Sequence, residues 1–565
     1  MSRHPASLQS FREIREEGLS YADKTEHVHR LLMDGRGFRL ARPRAFGKTL
    51  LLSVMKALFR GRADLFEGLY LGSAGWTFES RPVIALDFAR LEGGTPGALR
   101  DDLCWELKRV ALKEGLSVKG ASPGAVAAWL VEALHAKHGR RPAVLVDNAS
   151  APLERRLGDP AGLAAALAAL SGFWEALASL GPRLRFVFAA GNLCFRGMTG
   201  PEGFLRDVTV GPRHAACCGI TAQELDRVFR ESLAEAAELR RADGAAGPPG
   251  GGGAGGLRGE LLRRYGGYSW DAETRLLNPA AVISFLESAE NSWHFLEERP
   301  PDLIPRACLA AAGRAAPPDP ELTFTRGLLS ALEPARPALA PLLFQAGALT
   351  LSGRRERDGV PEYSLGFPNA EVEEGFRMLA LAALTGLDHA TLRFHARRFR
   401  REAGEGRAQG AALALGGLLS AAGEAGLPGG GDRGDLYALF LRLAGFAAFP
   451  CRPEGACPDG GAGGASGALR LAGGRRVIAT LRHLPGAEGL GEGAARRLLQ
   501  EALEAALREH GEGGAPGDAA PPGAEAPSWE ARRLFVFSAG SRETAGAAAD
   551  AGSPLVFRPL ARAGD

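Results

Sequence analysis

Apolar and polar positions along the first part of the chain follow two alternating periods. Short apolar runs at residues 38–40, 83–88, 143–146 and 185–189 predict strands. Between them, residues 50–59, 99–113 and Pro123–His138 carry the spacing of amphipathic helices. Strands alternating with helices predict an α/β fold, a mostly parallel sheet with helices on both faces. From about residue 257 to 401 the pattern is chiefly helical. One hairpin is expected there, with strands at 348–351 and 363–367 around a charged loop at 354–358. An α/β pattern then restarts: helix 436–444, strand 476–481, helix 494–510, strand 533–537. Glycine- and proline-rich runs at 242–256, 423–434 and 511–527 cannot build a core. The expected organisation is an α/β domain over 1–241, a flexible loop 242–256, a helical region 257–422, a linker 423–434 and a second α/β domain over 435–565.

Composition narrows this only slightly. A chain of 565 residues with 45% hydrophobic and 24% charged residues has ordinary globular content. A net charge of +3 gives no electrostatic support for nucleic acid as a partner. Cysteines at 104, 194, 217, 218, 308, 451 and 457 form no Cys-x-x-Cys pair, which argues against a zinc site or a disulfide framework and fits a reducing cytoplasm. The N-terminus has no apolar signal core. The longest apolar stretch, 162–180, is alanine-rich and broken by Glu175, so a packed helix is expected rather than a membrane span.

Candidate chemistry concentrates after the first strand. Arg42-Pro43-Arg44-Ala45-Phe46-Gly47-Lys48-Thr49 lies between a strand and a helix. This is the layout of a P-loop, in which backbone N–H groups and the helix N-terminus hold phosphates, the lysine reaches the terminal phosphates and the hydroxyl binds Mg²⁺. Arg42, Arg44, Gly47, Lys48 and Thr49 are therefore the candidate nucleotide-binding residues, with ATP and Mg²⁺ as ligands. Arg42 stands where the consensus has its first glycine. The lysines are at 24, 48, 56, 108, 113, 119 and 137, and arginine is the only permanent cation afterwards. A lysine kept beside Gly47 thus carries more weight than any arginine. The strand Ala143–Val146 ends in Asp147, placed either to hold Mg²⁺ with Thr49 or to cap a turn. Asn148 occupies the position where many such ATPases have a glutamate that activates water. An amide orients water but takes no proton, and a general base is worth roughly 10²–10⁴ in rate.

Motifs along the chain resemble a known family, the bacterial AAA-ATPase-like proteins with a C-terminal PD-(D/E)XK nuclease-type domain. Ser10-Phe11-Arg12-Glu13-Ile14-Arg15 with Tyr21-Ala22-Asp23-Lys24-Thr25 resembles its opening. Arg42 to Thr49 resembles its R-P-R-R-F-G-K-S loop, with Ala45 for one arginine. Leu65-Phe66-Glu67-Gly68-Leu69-Tyr70, Pro82 to Phe88, Cys218 to Leu225, Tyr265-Gly266-Gly267-Tyr268-Ser269-Trp270 with Leu277-Asn278-Pro279, and Tyr363 to Asn369 continue the match. Thr221 and Glu224 within it form a capping box.

The departures fall at the chemistry. Where the family has D-E-Y-D-K-P, this chain has Asp147-Asn148-Ala149-Ser150-Ala151-Pro152. Where it has T-G-V-S-K-F, this chain has Ala190-Gly191-Asn192-Leu193-Cys194-Phe195. The resemblance implies a nuclease strand with Glu-x-Lys, acids for Mg²⁺ and a lysine for the developing charge. Thr480 and Arg482 stand at those positions, Ala468 lies near the first acid, and Pro458-Asp459 is expected to be a turn. The leading reading is an ATP-binding AAA-ATPase-like protein with impaired hydrolysis, an inactive nuclease-like domain and a regulatory or interaction role. An active ATP-dependent nucleic-acid-processing enzyme and a scaffold without nucleotide are the alternatives.

Overall fold

The computed structural model describes residues 10–242, 254–291, 294–297 and 322–404, positions 414 and 418, and five strands beyond 450. The chain divides into two compact units, one holding the described residues up to Glu373 and the other those from Glu374.

The first unit is built on a parallel five-stranded sheet. Its strands are β1 (Gly37–Ala41), β2 (Val83–Asp87), β3 (Ala143–Asp147), β4 (Phe186–Gly191) and β5 (Arg206–Asp207), in the order β2-β3-β4-β1-β5. β3 and β4 are buried along their whole length, as expected of apolar strands covered on both faces. Helices Lys48–Phe59, Pro96–Lys113, Pro123–His138 and Pro160–Ser179 flank the sheet. Thr95, Ser122 and Asp159 cap the last three, each followed by proline in the first turn, where the missing N–H costs nothing. Pro160–Ser179 is long and apolar enough to cross a membrane by composition alone. Its Leu163, Leu170, Phe173, Trp174 and Leu177 are buried in the fold, as the sequence suggested.

Beyond the sheet, β6 (Ile220–Thr221) pairs antiparallel with β7 (Leu276–Leu277). Helices Arg230–Ala242, Ala254–Tyr265 and Pro279–Ser288 form one apolar cluster that includes Leu233, Leu261, Tyr265 and Phe285. The glycine-rich run therefore connects two helices of a single core. The second of these helices starts at Ala254, inside the run expected to end at 256. β8 (Thr323–Thr325), β9 (Thr350–Arg357) and β10 (Val360–Gly366) make a three-stranded antiparallel sheet in the order β8-β10-β9. The segment 354–358 is thus strand almost to its end, a correction to the expected charged loop. The turn is Asp358-Gly359, with φ of 52° and 75°. Two consecutive left-handed residues are what a tight type I′ hairpin requires.

The second unit contains helix His389–Gly404 and a five-stranded sheet, β11 (Pro453–Asp459), β12 (Gly464–Arg470), β13 (Arg476–His483), β14 (Arg532–Ser538) and β15 (Thr544–Ala549), ordered as numbered. All neighbours pair antiparallel except β13 and β14, which run parallel. Thr480 and Arg482 lie on β13, opposite Ser466 and Gly464 of β12. Ala468 lies on β12, opposite Ile478. Pro458 and Asp459 end β11 as strand residues, a correction to the turn expected at them. The expected helices 436–444 and 494–510 and the runs 423–434 and 511–527 lie outside the described residues.

Candidate functional site

The loop between β1 and Lys48–Phe59 is fixed first by backbone geometry. Ala41 N–H donates to Thr209 Oγ1 at 3.0 Å and Arg42 N–H to the Gly191 carbonyl at 3.1 Å, pinning the exit of β1 to β4 and to the segment after β5. Gly47 caps the helix in the left-handed region with φ 93°, a conformation glycine reaches without Cβ strain. Ala45 is also left-handed, with φ 55°.

Arg42 turns inward. Its side chain is fully buried, and its guanidinium donates to the carbonyls of Ala41 (2.9 Å), Thr209 (2.8 Å), His214 (3.3 Å) and Ala215 (3.3 Å). It lies over the Trp270 ring, 4.1 Å from the centroid. At the loop, Arg42 therefore contributes its backbone, while its side chain ties the loop to the core. This is a different role from the phosphate contact expected of it. Phe46 is buried beside it, edge-on to Tyr268 and Trp270 at 5.0 and 4.9 Å. Its carbonyl accepts from Gly219 N–H. A Cβ on Gly219 would stand 2.7 Å from the Phe46 ring, at a φ of +88°. The motifs around Gly219 and Trp270 are thus the packing that shapes the loop.

Lys48 is 5% exposed and folded onto its own loop. Nζ donates to the carbonyls of Arg42 (2.9 Å) and Pro43 (2.6 Å). Burial pulls its ammonium down to about 8, against the opposing charges of Asp147 and Glu154. The Thr49 side chain hydrogen-bonds Asp147, whose carboxylate also accepts the Asn148 N–H at 2.9 Å. Burial raises the Asp147 pKa, and these two hydrogen bonds pull it back. Hydroxyl and carboxylate oxygens are donor types that Mg²⁺ takes, so Thr49 and Asp147 are the residues here that would hold one. Among the described residues, no three His, Cys, Asp or Glu side chains gather as a metal cage.

Around this core the structure gathers Asn148 with two carboxylates the sequence did not single out, Asp87 and Glu154. Asn148 is left-handed, with φ 50°, and its Nδ2 donates to Asp87 Oδ1 at 2.9 Å. Asp87 ends β2 in register with Asp147. Ser150 Oγ donates to Glu154 and accepts the N–H groups of Asn192 (3.0 Å) and Leu193 (3.2 Å). Glu154 also takes Asn192 Nδ2 at 3.1 Å and lies 3.5 Å from Arg44 Nη2, whose side chain is half-exposed. Spacing gives no signal for Glu154, which a short helix (Ala151–Glu154) turns back toward the loop. Arg44, Gly47, Lys48, Thr49, Asp147 and Asn148 therefore share one edge of the sheet. Thr480 and Arg482 belong to the other unit.

Strand, loop, helix and neighbouring acid form a P-loop-like core at the carboxyl edge of a parallel sheet, where ligands bind in open α/β folds. Residues 5–197 match the model of a family described as predicted AAA-ATPase. The chain is also 30% identical over 381 residues to a protein of Azotobacter chroococcum mcd 1 described as an uncharacterized protein in the vnfD 5' region, covering 65% of this chain and 68% of that one. The chain belongs to the predicted AAA-ATPase family. No solved structure matches it.

Proposed function

We infer that this protein binds ATP with Mg²⁺ at Gly47-Lys48-Thr49, hydrolyses it slowly, and acts in the cytoplasm through a regulatory or partner-binding role. One observation carries the binding reading. Lys48 Nζ is held on the carbonyls of its own loop, above the N-terminus of its helix and beside a hydroxyl–carboxylate pair. A phosphate displaces neutral carbonyls with charged oxygens at a position already fitted to an ammonium. The slow-turnover reading rests on Asn148. Buried thiols at Cys104, Cys194, Cys217 and Cys218, all free, support a reducing compartment.

Calorimetry on the full chain tests this. Mg-ATP is expected to bind, and Lys48→Ala to weaken binding about tenfold or more, since a charge-assisted contact is worth roughly 1.5–3 kcal/mol. The pH dependence has a defined sign. In the free protein Lys48 loses its proton above about 8, while phosphate holds it charged. Affinity is therefore highest below that pH and falls as pH rises through it, with proton uptake on binding. Lys48→Ala abolishes this slope. Absence of ATP binding by the intact chain would leave the scaffold reading.

The second unit fits a nuclease-type domain that has lost its metal site. In support, β13, the strand that would carry Glu-x-Lys, pairs on both sides within its sheet and has Thr480 and Arg482 there instead. Arginine is too basic to exchange a proton and differs in shape from lysine. Plasmid DNA incubated with the full chain in Mg²⁺ or Mn²⁺ is expected to stay supercoiled. Nicking that is lost in Asp459→Asn would return the protein to the nucleic-acid enzymes.

A further inference from the structure

Hydrolysis at a P-loop needs a group that orients the attacking water and takes its proton. Asn148 cannot take it. Three carboxylates, Asp147, Glu154 and Asp87, stand along this edge, and their hydrogen bonds separate them. Asp147 holds Thr49 and the Asn148 N–H, the arrangement of a cation ligand. Glu154 is engaged by Ser150, Asn192 and Arg44, and its side chain is 5% exposed. Asp87 differs. Its Oδ1 accepts from Asn148 Nδ2 at 2.9 Å and from Ala89 N–H at 3.0 Å. Its Oδ2 has only Arg90 Nε, at 3.8 Å, among the described residues, and its side chain is 39% exposed. In register with Asp147, it sits one strand spacing, about 4.8 Å, further along the sheet.

Asn148 links the two positions. A non-glycine residue in the left-handed region is uncommon, though asparagine tolerates it better than most, and such backbones cluster at functional sites. Here the amide of Asn148 is hydrogen-bonded to Asp87. We propose that Asp87 is the catalytic carboxylate for ATP hydrolysis at this loop and that Asn148 is its positioning residue, an assignment that rests on the ATP-binding reading. The water oxygen attacks the γ-phosphorus while its proton passes to Asp87 Oδ2. The bond from γ-phosphorus to the bridging oxygen breaks, and its electron pair leaves on ADP. The proton then returns to solvent. The carboxylate is carried by the neighbouring strand, so turnover stays below that of a glutamate placed at 148.

The test uses the full chain, with ATP affinity from calorimetry and turnover from phosphate release. Asp87→Asn keeps the shape and the acceptor for Ala89 and Asn148. It is expected to bind ATP as the parent does and to lose turnover about 100-fold. Asn148→Ala is expected to lower turnover with affinity unchanged. Adding Asn148→Glu to Asp87→Asn is expected to recover turnover, a rescue that a purely structural Asp87 would not allow. Parental turnover in Asp87→Asn overturns the assignment, as does a parent that binds ATP yet releases no phosphate. A parent that binds no ATP overturns the nucleotide reading and this assignment with it, and calorimetry alone identifies that case.

Discussion

Replacing Arg42 with alanine is expected to destabilise the first unit by about 3–5 kcal/mol. The guanidinium is fully buried, donates to four carbonyls and lies over Trp270. Each buried acceptor left without its partner costs about 1–3 kcal/mol, and the desolvated cation–ring contact adds about 2. Water entering the space left by the side chain recovers part of this, which holds the total in the stated range. Denaturant titration of the full chain measures it, with the Trp270 environment as a local reporter. Arg42→Lys is expected to recover less than half, because one ammonium cannot reach carbonyls spread around a planar fork. A loss under about 1 kcal/mol for Arg42→Ala would mean that these carbonyls are satisfied without the arginine.

Glu224→Ala is expected to cost a similar amount, about 4 kcal/mol, for a different reason. Lys24 Nζ lies 2.7 Å from both Glu224 oxygens, and both side chains are largely buried. The same carboxylate accepts Thr221 N–H at 2.8 Å, while Glu224 N–H returns a bond to Thr221 Oγ1 at 3.1 Å. Removing Glu224 strands a buried ammonium, worth about 3–5 kcal/mol, and breaks a capping box worth about 1. Replacing both partners removes the stranded charge. Lys24→Met with Glu224→Leu should therefore be markedly more stable than Glu224→Ala alone. A double variant no better than the single one would show that the loss comes from the cap.

The strands and helices that frame the loop were legible because each is long and keeps one period. β1 to β4 and the helices between them fall within a few residues of the apolar runs. The turn at Asp358-Gly359 was misread: Asp-Gly between pairing segments is a hairpin signal, but the charge around it suggested a longer loop. β8 is only three residues long and β5 only two, too short to show any period. At the site, Lys48, Thr49 and Asp147 could be named from local spacing. The side-chain role of Arg42 could not, because three of its four carbonyl partners lie 167 to 173 residues away. Nor could Asp87, which meets Asn148 across 61 residues through strand register. Sequence shows which side chains a loop offers, whereas tertiary hydrogen bonding decides which of them point outward.

The anchoring of the loop also bears on where this protein can be cut. The stretch that matches the family ends at residue 197. Arg42 depends on Thr209, His214, Ala215 and Trp270, Phe46 on Gly219, Tyr268 and Trp270, and Lys24 on Glu224. A fragment ending at 197 would keep every nucleotide-loop residue and none of these anchors. It would leave Lys24 without the Glu224 carboxylate and Arg42 with the Ala41 carbonyl alone of its four acceptors. A piece extended past Trp270 is therefore expected to withstand more denaturant than one cut at 197, although the shorter piece spans the whole segment by which the family is recognised.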